Sequence, residues 1–402
     1  MRRSLLSVLA VAIPAFLIFA CSATRSPVLE RDSLFRLSYG IMEDQVELLM
    51  GGDAVNRKTS VYMRGGLVLV ASGYGNRIME FTSYGDLLTL YYNPENNPEP
   101  VLVQPNVDPE LEANRRAYAH LFNAVGEIAV TGRGDLLVED RVPDRLAVFD
   151  DDLGVMLNRV VVRLDSEGNQ IDYLGQEGIG GTYFPYVQHI DVTSNNEIVV
   201  VTTAIDRVIA FWFAEDGTLL RRIEIDSGSL PVPSGVTTSP VLGEVFADRD
   251  LRRLYLKIDY AVENDGSNGE QDSDQVMMAR IYWLDIEDGQ YDGFVDIPPV
   301  PRLVGIDDSG DETISNFYEF LGTASGEQLF LLAQRSRRES QLLILNTSGK
   351  VVRRRSLLID YDEVVYRDLQ ISETGVLTGL LASRDDVEIV WWRTDRLLGG
   401  SQ

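Results

Sequence analysis

This sequence predicts an all-β fold in which small four-stranded sheets repeat around a ring. Three observations predict it. Short apolar strands recur along the chain with tight polar turns between them. Five of those turns end on a glycine at a matching place, Gly85, Gly168, Gly217, Gly289 and Gly349, where a tight hairpin needs a positive φ. Thirty-four glycines and 15 prolines are spread over the 402 residues, a turn-rich composition and not a helix-rich one. Counting the last, unclosed unit gives six, so the class is a six-bladed β-propeller with one short inserted helix.

Taken in order, residues 1–20 read as a targeting segment. Arg2 and Arg3 precede an apolar run over 5–19 that is short for a membrane span. The run ends Ile18–Phe19–Ala20–Cys21–Ser22, and Cys21 is the only cysteine of the chain. A small residue before a cysteine at the end of an apolar stretch resembles the bacterial lipobox, although Phe19 stands where a small residue is usual. The resemblance implies that Cys21 is lipidated and becomes the mature N-terminus, an acyl (palmitate-type) membrane anchor. Residues 21–32 then form a polar tether.

The propeller occupies 33–402. The early alternating strand over 33–41 is expected to supply the outer strand that the last unit lacks, and so to close the ring. The unit over 173–225 is the clearest. Strands over 187–192, 198–203, 207–213 and 218–225 are joined by polar turns, and a glycine-rich loop over 176–181 leads in. Its order of loop, glycine, aromatic, proline and strand, with N-E-I-V-V-V, D-R-V-I-A-F and D-G-T-L-L, resembles the NHL repeat. The resemblance covers residues 60–398 and extends to NHL-type lipoproteins of bacterial, spirochaete-type envelopes. It implies a binding or scaffolding platform using one propeller face. Three insertions interrupt the pattern: coil over 93–108, a helix over 109–124 with Asp108 as N-cap, and an acidic loop over 263–274.

The formal net charge of −26 repels phosphate backbones, which removes nucleic acid from the expected partners. The expected partners are the membrane, through the anchor, and another envelope protein. Zinc chemistry is starved of ligands, since the chain has two histidines, His120 and His189, and one cysteine. There is no G-x-S-x-G turn for a serine nucleophile. No cofactor is expected, with Ca²⁺ the exception kept open. Asp265, Asp272, Asp274, Asp307, Asp308 and Asp311 sit in glycine-bearing loops, but without EF-hand spacing. A six-bladed ring resembles that of lactonase-like enzymes that hold calcium in the channel, and this resemblance implies the rival function, a calcium-dependent, lactonase-like hydrolase. A small-ligand binder using the central channel is the further alternative. Candidate binding residues are Tyr183 and Tyr186 on the loop of the clearest unit and His189 on its first strand. No catalytic residue is assigned.

Overall fold

The computed structural model describes residues 26–48, 57–101, 115–234, 238–262, 277–300 and 317–398. The proposed signal segment, Cys21, the acidic loop and all six calcium-candidate aspartates lie outside these residues. Strand β1 (Asp32–Ser38) comes first. Blade one is β2 (Thr59–Arg64), β3 (Leu67–Ser72), β4 (Arg77–Thr82) and β5 (Leu87–Tyr92), with β6 (Arg116–Ala119) added in parallel. Blade two is β7 (Ile128–Val130), β8 (Leu136–Arg141), β11 (Arg159–Leu164), β12 (Gln170–Gly175) and the short β13 (Gly178–Ile179). Between β8 and β11 a separate hairpin projects, β9 (Val148–Asp150) and β10 (Val155–Leu157).

Blade three is β14 (Tyr186–Val192), β15 (Ile198–Thr203), β16 (Arg207–Phe213) and β17 (Leu219–Asp226). Blade four is β18 (Thr238–Ala247), β19 (Arg253–Val262), β20 (Met277–Asp285) and β21 (Tyr291–Ile297). Blade five is β22 (Glu319–Ala324), β23 (Gln328–Gln334), β24 (Glu339–Asn346) and β25 (Val351–Leu358). Blade six is β26 (Tyr366–Ile371), β27 (Leu377–Ala382) and β28 (Asp386–Trp392), and its fourth strand is β1. The register runs from Asp32↔Trp391 to Ser38↔Asp386, with one bulge between Ser33 and Phe35. One sheet is thus built from both ends of the chain.

The blades follow from alternation. In β17 the burial pattern alternates over Ile223, Glu224, Ile225 and Asp226, as expected of an outer strand with one face in the core. In β15 and β16 nearly every residue is buried, because the middle strands of a blade are covered by neighbours on both faces. Val199, Val201 and Trp212 pack toward blade four with Leu254, Leu256 and Tyr282. Val200, Ile209 and Phe211 pack toward blade two with Leu137, Val161 and Leu174. The two faces of one sheet feed two cores, and repeating this around the ring gives, among the described residues, six cores, each shared by two neighbouring blades.

The five turn glycines all have positive φ, from +70° at Gly289 to +90° at Gly217. The glycine-rich loop contributes to two blades: Gly178 pairs within blade two and also bridges Thr218 of blade three. The helix expected over 109–124 is not formed in its described part. Arg116–Ala119 runs as β6 beside β5, where Tyr118 meets Tyr91 and satisfies a sheet edge that would otherwise be open. In this described part the available edge of β5 outweighs the helical pattern. The α-helix among the described residues is one turn, α1 (Asp395–Leu398), just after the last strand. None of the described helices is long and apolar enough to cross a membrane.

Candidate functional site: the central channel and its two mouths

The innermost strands β2, β7, β14, β18, β22 and β26 each pair along one edge only, so their other edges turn toward the axis. Backbone N–H and C=O groups there must find partners. Side chains of neighbouring inner strands supply them. Tyr366 donates to Thr59 O at 2.6 Å, Asp368 Oδ2 accepts from Val61 N at 2.7 Å, and Gln370 Oε1 accepts from Met63 N at 3.4 Å. The step of two on both strands is the pleat of β26 laid against the pleat of β2. Around the ring, Ser60 donates to Gly126 O, Asp191 accepts from Ala247 N, Glu244 accepts from Phe320 N, and Thr323 donates to Ala247 O.

Call the face where the inner strands begin the leading face, and the opposite one the trailing face. At the leading face Lys58 sits between Glu127 Oε1 (3.2 Å) and Glu139 Oε2 (3.1 Å), donates to Val187 O, and has the Tyr186 ring 4.5 Å from its Nζ. Burial works against the ammonium, but Glu127 and Glu139 outweigh it, so Lys58 titrates above the ordinary lysine range. Asp368 is the counter-case. Burial, then the charge of Glu127, lift its carboxyl to about 7, against the opposing pull of Val61 N–H and Lys58.

At the trailing face Arg249 closes the axis. It leaves blade four just after β18 and donates to Val192 O of blade three (3.0 Å), Thr323 O of blade five (3.3 Å) and Ile371 O of blade six (3.5 Å). Asp191 lies 3.5 Å away. Burial disfavours the Asp191 charge, yet Arg249 and His189 prevail and hold the carboxyl below its ordinary range. The planar guanidinium spreads its donors over three nitrogens and so reaches three separate carbonyls, whereas an ammonium presents its three donors from one point.

The residues singled out from sequence are near one another in the chain but not gathered into a site. Tyr183 is half-buried against the cores of blades one to three. Tyr186 is 43% exposed at the leading mouth. His189 lies deeper, stacked on Phe246 at 4.3 Å with Nε2 3.4 Å from Asp191. His120 follows β6, its Nε2 2.8 Å from Gly168 O. Lys58, Arg249 and Asp368 were missed. The period-two polar stripe Tyr366–Asp368–Gln370 was the available signal, since polar residues on the buried face of a strand must be paired.

Two cavities flank the stitched axis. One of about 340 Å³ at the trailing mouth is lined by Tyr62, Arg64, Thr193, Arg249, Trp391 and Arg393 among others. One of about 330 Å³ at the leading face is lined by Arg141, Met156, Arg159, Tyr186 and Thr203. Beside the latter stands the β9–β10 hairpin. Phe149 and Met156 are directly opposed across it and are 55% and 45% exposed. Among the described residues no three of His, Cys, Asp and Glu come close enough to hold a metal ion.

No family model matches the chain, and no curated protein matches it. Solved structures with a similar arrangement include the Dos1 propeller, with a TM-score of 0.33 and 11% identity over 81% of this chain and 67% of that one. The Nup133 β-propeller domain of Vanderwaltozyma polyspora gives 0.38 and 8% over 90% and 98%. A PL25 ulvan lyase gives 0.38 and 10% over 90% and 83%. At such scores and identities the likeness carries nothing about activity. The strand order itself makes the chain a six-bladed β-propeller.

Proposed function

We propose that this chain is a membrane-anchored envelope lipoprotein, NHL-like and of the spirochaete type, whose propeller is a platform for another envelope protein. The observation that carries the platform reading is the exposed apolar face of the β9–β10 hairpin. Phe149 and Met156 stand proud of the leading face with Tyr186 and the 76% exposed Ile205 nearby. Asp144 precedes the hairpin, Asp150 ends β9 and Asp151 and Asp152 form its turn, with Asp144, Asp151 and Asp152 exposed. A large apolar pair on a hairpin that belongs to no blade adds little to the ring's own packing, and exposed apolar groups with a polar rim mark interaction sites. The channel supports the same reading, because its side chains are committed to joining blades.

The test is crosslinking from position 151, on the exposed turn of the hairpin, in envelope fractions, with Phe149→Asp/Met156→Asp as the comparison. The double variant is expected to lose the crosslinked partner while melting like the parent. An unchanged crosslinking pattern would sink the platform at this face. Anchoring is tested separately. Cys21→Ala should release the chain from membranes, and a mutant that still fractionates with membrane would contradict the lipid anchor.

A second reading, capture of a small polar ligand without chemistry, is favoured by the cavity of about 340 Å³ at the trailing mouth, where Arg64, Arg249 and the Tyr62 and Trp391 rings meet. A calcium-dependent hydrolase has no comparable observation behind it.

A further inference from the structure

Blade five is basic in an acidic chain. Strand β25 carries Arg353, Arg354 and Arg355 in a row, and the β23–β24 turn carries Arg335, Arg337 and Arg338. Two of the three acids among the described residues of the blade are paired with arginines outside it. Glu319 is paired with Arg367, Glu327 with Arg253, and buried Glu339 with Arg335 and Ser356. Arg338 is 3.2 Å from Asp360 on the next connection, where Asp362 and Glu363 also lie. Arg337 and Arg338 are exposed, and Arg353, Arg354 and Arg355 are half-buried.

The N-terminal chain is fastened to this same blade. Leu29 N donates to Ser356 O (2.9 Å), Ser356 N donates to Pro27 O (3.0 Å), and Gln341 Nε2 donates to Ser26 Oγ (3.1 Å). The bridge between Val28 and Ser356 is parallel, so Ser26 lies on the side of Arg354 and Arg355. Gln341 in turn accepts from Tyr318, a hydroxyl close enough to Arg335 and Arg354 to feel both charges. Val28 and Leu358, each about half exposed, add apolar surface at the same edge. Cys21 is five residues upstream of Ser26, at most ~17 Å of extended chain.

We propose that the outer side of blade five lies against the anionic headgroups of the membrane that carries the chain. This rests on the lipid anchor at Cys21. The anchor fixes distance but not orientation, and a second, electrostatic contact commonly accompanies an acyl anchor. Basic side chains near a bilayer are attracted within a Debye length of ~10 Å, and the short tether holds these within reach of it. The rest of the surface, net negative, is repelled by the same headgroups, so turning blade five toward them lowers the energy.

The test uses the full-length lipidated protein in vesicles. The native cysteine is consumed by the lipid, so Ser336→Cys beside the arginines provides a single position for an environment-sensitive fluorophore. Glu167→Cys on blade two, across the ring, is the control. The label at 336 is expected to shift to the blue in phosphatidylcholine vesicles containing phosphatidylglycerol and not in phosphatidylcholine alone. The shift should vanish at ~1 M salt, where the Debye length is ~3 Å. It should also vanish when Arg337→Gln, Arg338→Gln and Arg355→Gln are combined in a chain shown by its melt to be folded. Equal emission in both vesicles, or an equal shift at position 167, overturns the proposal. The mass of the N-terminal peptide separates the two ideas. An acylated chain without the shift sinks the orientation alone, and an unacylated one sinks the anchor and this inference with it.

Discussion

Asp368 of the last blade accepts a hydrogen bond from the backbone N–H of Val61 of the first, at 2.7 Å, across the joint where the circle of inner strands meets its own beginning. The carboxyl is half-buried, and burial with Glu127 raises it from 3.8 to about 7. An acid whose pKa is higher when folded keeps a proton that the unfolded chain has already released. Stability is therefore expected to fall as pH rises from about 4 to about 7, then to level off. Asp140, raised by burial to about 6, adds a slope of the same sign. Asp368→Asn keeps an acceptor for Val61 and cannot ionise, so its melting temperature should vary less over this window than the parent's. Asp368→Leu leaves the Val61 N–H without a partner and should cost ~1–3 kcal/mol at every pH. Equal pH slopes in the parent and the Asn variant would show that Asp368 does not titrate there.

Joining the ends of the chain in blade six makes β1 a structural part of the ring. Leu37 is buried among Val61, Met63, Leu380 and Ile389, so it contributes to the core shared by blades six and one. Leu37→Ala is expected to cost ~2–5 kcal/mol in denaturant titrations. Its neighbour Arg36 pairs with Asp386 at 2.8 Å and Glu388 at 3.2 Å, yet is more than half exposed. Arg36→Ala should cost no more than ~1 kcal/mol. A reversed order would mean that the strand is held by charge and not by packing.

Arg249 is expected to be the most sensitive position of the axis. Replacing it with Met strands carbonyls of three blades and leaves Asp191 without its main counter-charge. Removing one partner of a buried charged pair typically costs ~3–5 kcal/mol. Arg249→Lys should rescue little, because an ammonium on a flexible stem cannot span Val192, Thr323 and Ile371 as the guanidinium does. Thermal melts of the two variants check this, and a Lys variant as stable as the parent would reduce Arg249 to a simple point charge.

How far the sequence was legible differs between strands and site. The unit over 173–225 could be read almost residue by residue, because its strands alternate and Gly217 marks the last turn. Local chemistry fixes such hairpins. The helix expected over 109–124 failed in its described part for a non-local reason, the free edge of β5. The axis was illegible for the same kind of reason. Asp368 meets Val61 and Arg249 meets Ile371 across separations of 307 and 122 residues, and no spacing in the chain encodes those meetings. The β9–β10 hairpin was hidden because three-residue strands give too short a pattern to read.

The turn glycines separate backbone strain from crowding. Gly217 has φ +90°, and a Cβ there would stand 2.9 Å from Leu174, 3.0 Å from Ile179 and 3.1 Å from Arg163. Leu174 is itself fully buried, so it has little freedom to withdraw. Gly65 has φ +59° with nothing within 4 Å of a Cβ. Alanine at 65 should cost ~1–2 kcal/mol, the penalty of the left-handed backbone. Alanine at 217 adds overpacking of ~1–3 kcal/mol to that penalty. Urea midpoints of the two variants should differ accordingly, with Gly217→Ala the lower. Equal midpoints would mean that the contact between blades two and three yields to an added methyl, and that this turn is set by its backbone alone.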